Sequence, residues 1–171
     1  ILDKAQSEVL RTYVAGCVAR SVAVFNVDEV VVFNDGVASE TEKFDSDAML
    51  ELMLQYLETP QYLRRHLFRM EHRLKHAGLL NPLDATHHLR QNEILRWREG
   101  VVVPQHFRRN DPQAPWGAQL ENDGSSSNPK TSLFVDVGFR EPVRLRNSRP
   151  IETGTRITVD FETENPKIPP A

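Results

Sequence analysis

The sequence is poor in the residues that mark secreted and membrane proteins. It holds one cysteine in 171 residues, Cys17, so no disulfide can close within the chain. A single thiol favours a reducing compartment, and no Asn-x-Ser/Thr acceptor is present. No apolar run approaches the ~20 residues that a helical membrane span needs. The P-loop, G-x-G-x-x-G, H-E-x-x-H and G-x-S-x-G signatures are all missing, which removes the reaction classes built on them. The chain opens on Ile1 with neither Met nor signal peptide, and it closes on "NPKIPPA". Both ends read as cut from something longer, or trimmed.

What is present fits a globular protein of one domain or two small ones: 39% hydrophobic and 26% charged residues. The net charge of −3 is unevenly placed. Residues 1–60 carry 4 Lys+Arg against 11 Asp+Glu, net −7, and residues 61–171 carry 17 against 13, net +4. A basic second part points to an anionic partner there. A pI near 6.1 argues against a surface that binds nucleic acid all over.

Ser7 reads as an N-cap with Glu8 in the first turn. Leu10, Val14, Cys17, Val18 and Val22 then recur with helical spacing over about four turns, which makes Cys17 a buried thiol. Gly16 suggests close packing against another backbone. "DEVVVF" (28–33) fits a strand buried on both faces of a parallel sheet, ended by the turn signal "NDG" (34–36). Residues 37–46 read as a polar stretch. Asp47 can cap a second helix with Leu50, Met53, Leu54 and Leu57 as its stripe, and Pro60 can stop it and open a third, "QYLRRHLF". From Gly100 the pattern turns to short β-branched segments, "GVVV" (100–103), "SLFVDVG" (132–138), "PVRLR" (142–146) and "TRITVDF" (155–161). A Pro/Gly/Ser/Asn-rich loop interrupts them at 108–130. Four short strands and one long loop predict a small antiparallel barrel, with OB-like topology as one form.

The stretch "AGLLNPLDATHHLRQNE" (77–93) lies between the two textures and admits three readings. A metal site lacks the further ligands that His87 and His88 would need. Asp84 beside a His is an acid–base pair in composition only. An ordered connector, with Pro82 setting a turn and Asn81 and Asp84 bonding backbone groups, asks least.

Taken in order, "LRTYVAGCVARSVAVFNVDEVVVF", "YLETPQYLRR", "AGLLNPLDATHHLRQNE", "REGVVV" and "VDVGFREPVRL" resemble the SPOUT-class RNA methyltransferases of eukaryotes and archaea that carry an inserted OB-like domain. The resemblance runs over nearly the whole chain. It implies an incomplete α/β SPOUT half over residues 1–97, then an inserted OB-like β-barrel over 98–171. The trefoil knot that binds S-adenosylmethionine is expected beyond Ala171, and a further strand before Ile1. It also implies an RNA substrate, most plausibly ribosomal RNA or a pre-ribosomal particle, and a homodimer or a heterodimer with a paralogue. A nuclear, nucleolar location follows, with a chromosome- or spindle-associated adaptor role as a third option. On that pattern Arg11 and Arg20 of the first helix, and Asp84, His87 and His88 of the connector, are the catalytic candidates. Asn81 is a candidate contact for the donor, and no metal is implied. The family start is expected to read "LDNAQS"; Lys4 stands here in place of the Asn, which would fit a weakened or inactive member.

Basic residues mark the expected RNA face. "RRHLFRMEHRLKHAG" (64–78) sets Arg64, Arg65, Arg69, Arg73 and Lys75 against Glu71 alone, with Phe68 and Leu74 interleaved and His66, His72 and His76 able to add charge. A solvated helix face would look the same. The barrel adds Arg140, Arg144, Arg146 and Arg149, with Phe134, Phe139 and Trp116 as its aromatics; Phe134 also reads as core.

Overall fold

The computed structural model describes residues 2–33, 45–90, 93, 95–105, 107, 131–145 and 149–161. The chain divides into two compact units, one formed by Ile1–Thr59 with Glu71–Ala85 and the other by Pro60–Met70 with Thr86–Ala171. The fold is mixed α/β, with helices and antiparallel sheets. No described helix is long and apolar enough to cross a membrane.

The first unit packs helix α1 (Glu8–Val24) against α2 (Ser46–Glu58). Ser7 caps α1 as expected, its side chain accepting from Leu10 N at 3.2 Å. The packed face takes in only part of the aliphatic stripe: Val14 is half-buried and packs on the core. Thr12, Ala15 and Ala19 are buried, whereas Leu10 is 50% exposed and Cys17 is exposed. The reason is steric. Small side chains let helix backbones approach closely, and this helix carries large apolar residues on more than one side, so size decided the packed face. Gly16 packs closely elsewhere, against Leu80: a Cβ there would lie 2.7 Å from Leu80 Cδ2, a side chain rather than a backbone. On α2, Met49, Met53 and Leu57 are buried with Leu50 and Leu54 partly so. Its cap is Asp45, which accepts from Ala48 N at 2.9 Å, and Asp47 falls in the first turn instead.

The strand expected at 28–33 does not form. These residues have no ladder partner among the described residues, and Val31 and Phe33 are 72% and 74% exposed. A parallel strand exists only through neighbours that supply its hydrogen bonds. The turn expected at 34–36 and residues 37–44 lie outside the described residues.

Among its described residues the second unit holds α3 (Gln61–Leu67), opened by Pro60, and six strands. These are β1 (Trp97–Val103), β2 (Thr131–Ser132), β3 (Phe134–Asp136), β4 (Val143–Arg144), β5 (Ile151–Glu152) and β6 (Arg156–Asp160). A four-stranded sheet runs β4-β3-β1-β6 and a two-stranded sheet pairs β2 with β5, all antiparallel. The sheets do not close into a barrel among the described residues. The expected segment 132–138 is interrupted at Leu133, whose carbonyl accepts from Leu145 N at 2.8 Å instead of extending the ladder. Strand β5 went unread because two residues carry no periodicity. The loop at 108–130 lies outside the described residues.

One face of the sheet forms a core of Val102, Val135, Val137, Val143 and Val159 with Phe139 and Leu145. Arg98 shares that face by alternation along β1 and is 2% exposed. Its guanidinium donates to three carbonyls, Val137 O, Glu93 O at 2.7 Å and Arg90 O at 3.1 Å, and lies between the rings of Tyr62 and Phe139, 5.0 and 4.8 Å from their centroids. Gly138 makes room: its φ of +90° suits glycine, and a Cβ there would meet Tyr62 and the Arg98 Nη2. On the other face His66 of α3 lies 2.8 Å from an Asp136 oxygen, both side chains 1% exposed, and Asp136 also accepts from Gly138 N.

Replacing Arg98 by Met keeps much of the stem but strands the carbonyls it serves. The expected loss is on the order of 3 kcal/mol, read as a lower urea midpoint by tryptophan fluorescence, since Trp97 and Trp116 both belong to this unit. An unchanged midpoint would remove Arg98 as the keystone.

Candidate functional site

The stretch 77–93 crosses from the first unit to the second. Residues 77–85 belong to one and 86–93 to the other. It begins with a 3-10 turn at Ala77–Leu79 and continues, among its described residues, without helix or strand; Leu83 is buried, and Asn81, Pro82 and Asp84 are exposed. His87 and His88 are half-buried, their rings meeting edge to face at 4.6 Å. After them the chain is tied down through backbone. Arg90 N donates to the Glu93 carboxylate at 2.7 Å, and the carbonyls of both residues accept from Arg98.

Of the first-helix arginines, Arg11 is half-buried and donates through Nε to Ala5 O at 3.2 Å, whereas Arg20 is exposed. The basic stretch 64–78 is divided by the fold. Arg64, Arg65 and Arg69 belong to the second unit, Arg73 and Lys75 to the first. Arg64 is buried at 8% exposure, and Arg65 lies 5.8 Å over the Phe107 ring. Arg69 and Lys75 are exposed, and Arg73 is paired with Glu71. In the sheet region Arg140, Arg144 and Arg149 are exposed. Arg146 and Trp116 lie outside the described residues. Phe139 is core and Phe134 half-buried.

Two features escaped the sequence reading. Trp97 opens β1 with 54% exposure, and the Arg96 guanidinium lies 4.7 Å over its ring. Asp160 fixes that guanidinium with two hydrogen bonds of 3.1 Å, which hold Arg96 above its ordinary pKa. The guanidinium covers one face of the ring, and the indole is otherwise of the kind on which a base can stack. The adjacent Arg-Trp ahead of a β-branched run was its only sequence signal. The second feature is a cleft of about 320 Å³ in the first unit, lined by Glu8, Thr12, Asp45, Met49, His72, Arg73 and His76. His76 Nε2 lies 3.5 Å from a Glu8 carboxylate oxygen. Residues from three chain segments meet there, so no local motif announces it.

The family model described as "Putative RNA methyltransferase" matches residues 1–169. The human "28S rRNA (uridine-N(3))-methyltransferase" is 42% identical over 159 residues, covering 87% of this chain and 41% of its own length. The mouse protein of the same name is 38% identical over 178 residues, covering 98% of this chain and 44% of its own. That of Drosophila melanogaster is 39% identical over 162 residues, covering 85% and 32%. The chain therefore spans between a third and a half of the length of these curated relatives.

Burial separates the arginines of the basic stretch. Arg64→Glu should lower the unfolding temperature, because it places a carboxylate in a buried site. Arg69→Glu and Lys75→Glu should weaken RNA binding and flatten its salt dependence by about one unit of slope each, and Lys75→Glu should leave that temperature unchanged. Thermal unfolding beside filter binding at several salt concentrations separates the two groups, and equal RNA affinity for all three variants would discard the stretch as an RNA face.

Proposed function

The chain belongs to the family described as "Putative RNA methyltransferase", and from that premise we propose that it is part of an S-adenosylmethionine-dependent RNA methyltransferase of the SPOUT class. The observation that carries the reading is the 42% identity to a relative named for methylating uridine N3 of 28S rRNA. The proposed substrate is structured ribosomal RNA and the proposed acceptor is uridine N3. Residues 1–97 are read as the first part of the SPOUT domain and 98–171 as an inserted OB-like domain. The family knot, which would hold the donor, is placed beyond these residues.

The donor, when bound, would supply an electrophilic methyl group on sulfur. Uracil N3 carries a proton that must leave first, so the site needs a group to take it and groups to fix the base. Asp84 with His87 or His88 is the acid–base set proposed from this chain. Arg20 is exposed, and its planar fork suits a phosphate; Arg11 is assigned the same duty. Arg65, Arg69, Lys75, Arg144 and Arg146 make up the proposed RNA-binding set; Arg64, which is buried, and Arg73, which is paired with Glu71, are left to the fold. Asn81 is exposed and able to meet the donor, but no step is routed through it. A homodimer, or a heterodimer with a paralogue, acting in the nucleolus on pre-ribosomal particles completes the reading.

Lys4 supports a second reading. It is exposed in the 3-10 turn Leu2–Lys4, where the family pattern is expected to hold Asn. A long cation there fits an RNA-binding factor of large-subunit assembly that no longer catalyses.

The two readings part in one assay. Full-length protein with labelled donor and ribosomal RNA, digested to nucleosides, should yield labelled 3-methyluridine. RNA binding without transfer, together with no donor binding by calorimetry at millimolar concentration, would replace the first reading with the second.

A further inference from the structure

Hydroxyls on helices usually satisfy themselves by bonding the carbonyl one turn back. Ser21 does so with Cys17 O at 3.0 Å, and Thr59 with Gln55 O at 2.8 Å. Thr12 is different. It lines the cleft of the first unit, is 1% exposed, and its hydroxyl has no hydrogen-bond partner among the described residues. Leaving a buried hydroxyl unmet costs about 1–3 kcal/mol, and buried polar groups without partners are few.

The residues around that hydroxyl limit what can meet it. Glu8 and Asp45 are acceptors, and Asp45 has already committed Oδ1 to Ala48 N. Arg73, His72 and His76 supply donors. Met49 adds a polarizable apolar contact suited to a ring face. A bare phosphate meets two carboxylates here and is disfavoured. A metal ion is disfavoured too: among the described residues no three of Glu8, Asp45, His72 and His76 bring their ligand atoms within 4.8 Å of one another. The volume, about 320 Å³, lies at the small end of the roughly 300–1,000 Å³ of ligand pockets. A planar heterocycle with donor and acceptor groups side by side satisfies every one of these constraints.

We propose that the cleft formed by Glu8, Thr12, Asp45, Met49, His72 and His76 binds an unpaired uracil of the RNA substrate. Its N3–H donates to a carboxylate, and its O2 and O4 accept from the Thr12 hydroxyl and the imidazoles. Unpaired bases are read on this edge. The choice of uracil rests on the methyltransferase reading above, whereas the existence of a polar site for a heterocycle rests on Thr12 and its surroundings. One consequence is chemical. A uracil methylated at N3 has lost the donor that the carboxylate needs, so the site rejects the product of the proposed reaction.

The test uses full-length protein with ¹³C-labelled methionine methyls and follows Met49 during titration with uridine, 3-methyluridine, cytidine and inorganic phosphate. Uridine should shift the Met49 signal while the other three leave it in place. Thr12→Val, which removes only the unmet hydroxyl, should weaken uridine binding about fivefold or more, the worth of one hydrogen bond, without lowering the unfolding temperature. A Met49 signal unmoved by uridine up to its solubility overturns the proposal. So does equal binding of 3-methyluridine or cytidine, or a shift by phosphate alone. Methyl transfer measured in parallel keeps the readings apart. Transfer at an unchanged KM in Thr12→Val sinks the cleft and leaves the methyltransferase standing; uridine binding without transfer does the reverse.

Discussion

The second unit depends on one cation held away from water. Arg98 sits on the apolar face of β1 at 2% exposure, where an uncompensated charge would cost several kcal/mol. The carbonyls of Arg90, Glu93 and Val137 and the rings of Tyr62 and Phe139 offset that cost. The arrangement fixes three things together. Arg90 and Glu93 are drawn to the sheet through their carbonyls, α3 is held through Tyr62, whose hydroxyl also donates to Glu99 O at 2.9 Å, and residue 138 must be small and left-handed. A hydrophobic residue at position 98 would pack, but it would specify none of these relations. Direction is what a guanidinium adds to a core.

The first unit is organised by size rather than charge. Ala15, Ala19 and Thr12 face α2 and Gly16 meets Leu80, so α1 sits close and leaves larger apolar groups outside; Tyr13 is 64% exposed and Val24 72%. The same close seam places Thr12 where its hydroxyl is buried without a partner. Packing preference and polar satisfaction therefore conflict at one residue, and that conflict coincides with the cleft. Local rules are broken most often where a surface does something besides fold.

What could be read in the sequence was local. Ser7 as a cap, the extent of α1, the presence of α2, Pro60 as the point where α3 opens, and antiparallel strands in the region after residue 97 all rest on signals within a few residues of the feature. The face that α1 buries could not be read, because both faces carry apolar residues and the choice belongs to α2. The strand at 28–33 failed for a related reason: Val30, Val31 and Phe33 have β propensity, but a strand is made by its partner. The cleft draws on positions 8–12, 45–49 and 72–76, so its parts were visible singly and its existence was not. The family was legible because ordered segments along the whole chain carry it, which needs no geometry.

Basic residues show most plainly why composition overstates a binding surface. Counterion release counts only the charges that reach phosphate. In the second unit Arg98 and Arg64 are buried, Arg96 is fixed by Asp160 over Trp97, and Arg156 is held by Glu99 at 3.1 Å. In the first, Arg73 is paired with Glu71. Each adds to the net +4 of residues 61–171, yet each has work in the fold or an acidic neighbour. Among the described residues of that part, the exposed cations outside these pairs, Arg69, Lys75, Arg90, Arg140, Arg144 and Arg149, form a smaller set. A surface of that kind orients RNA weakly by charge alone, so selectivity has to come from groups that recognise a base. An exposed Trp97 under a fixed guanidinium and a cleft with an unmet hydroxyl are groups of that type.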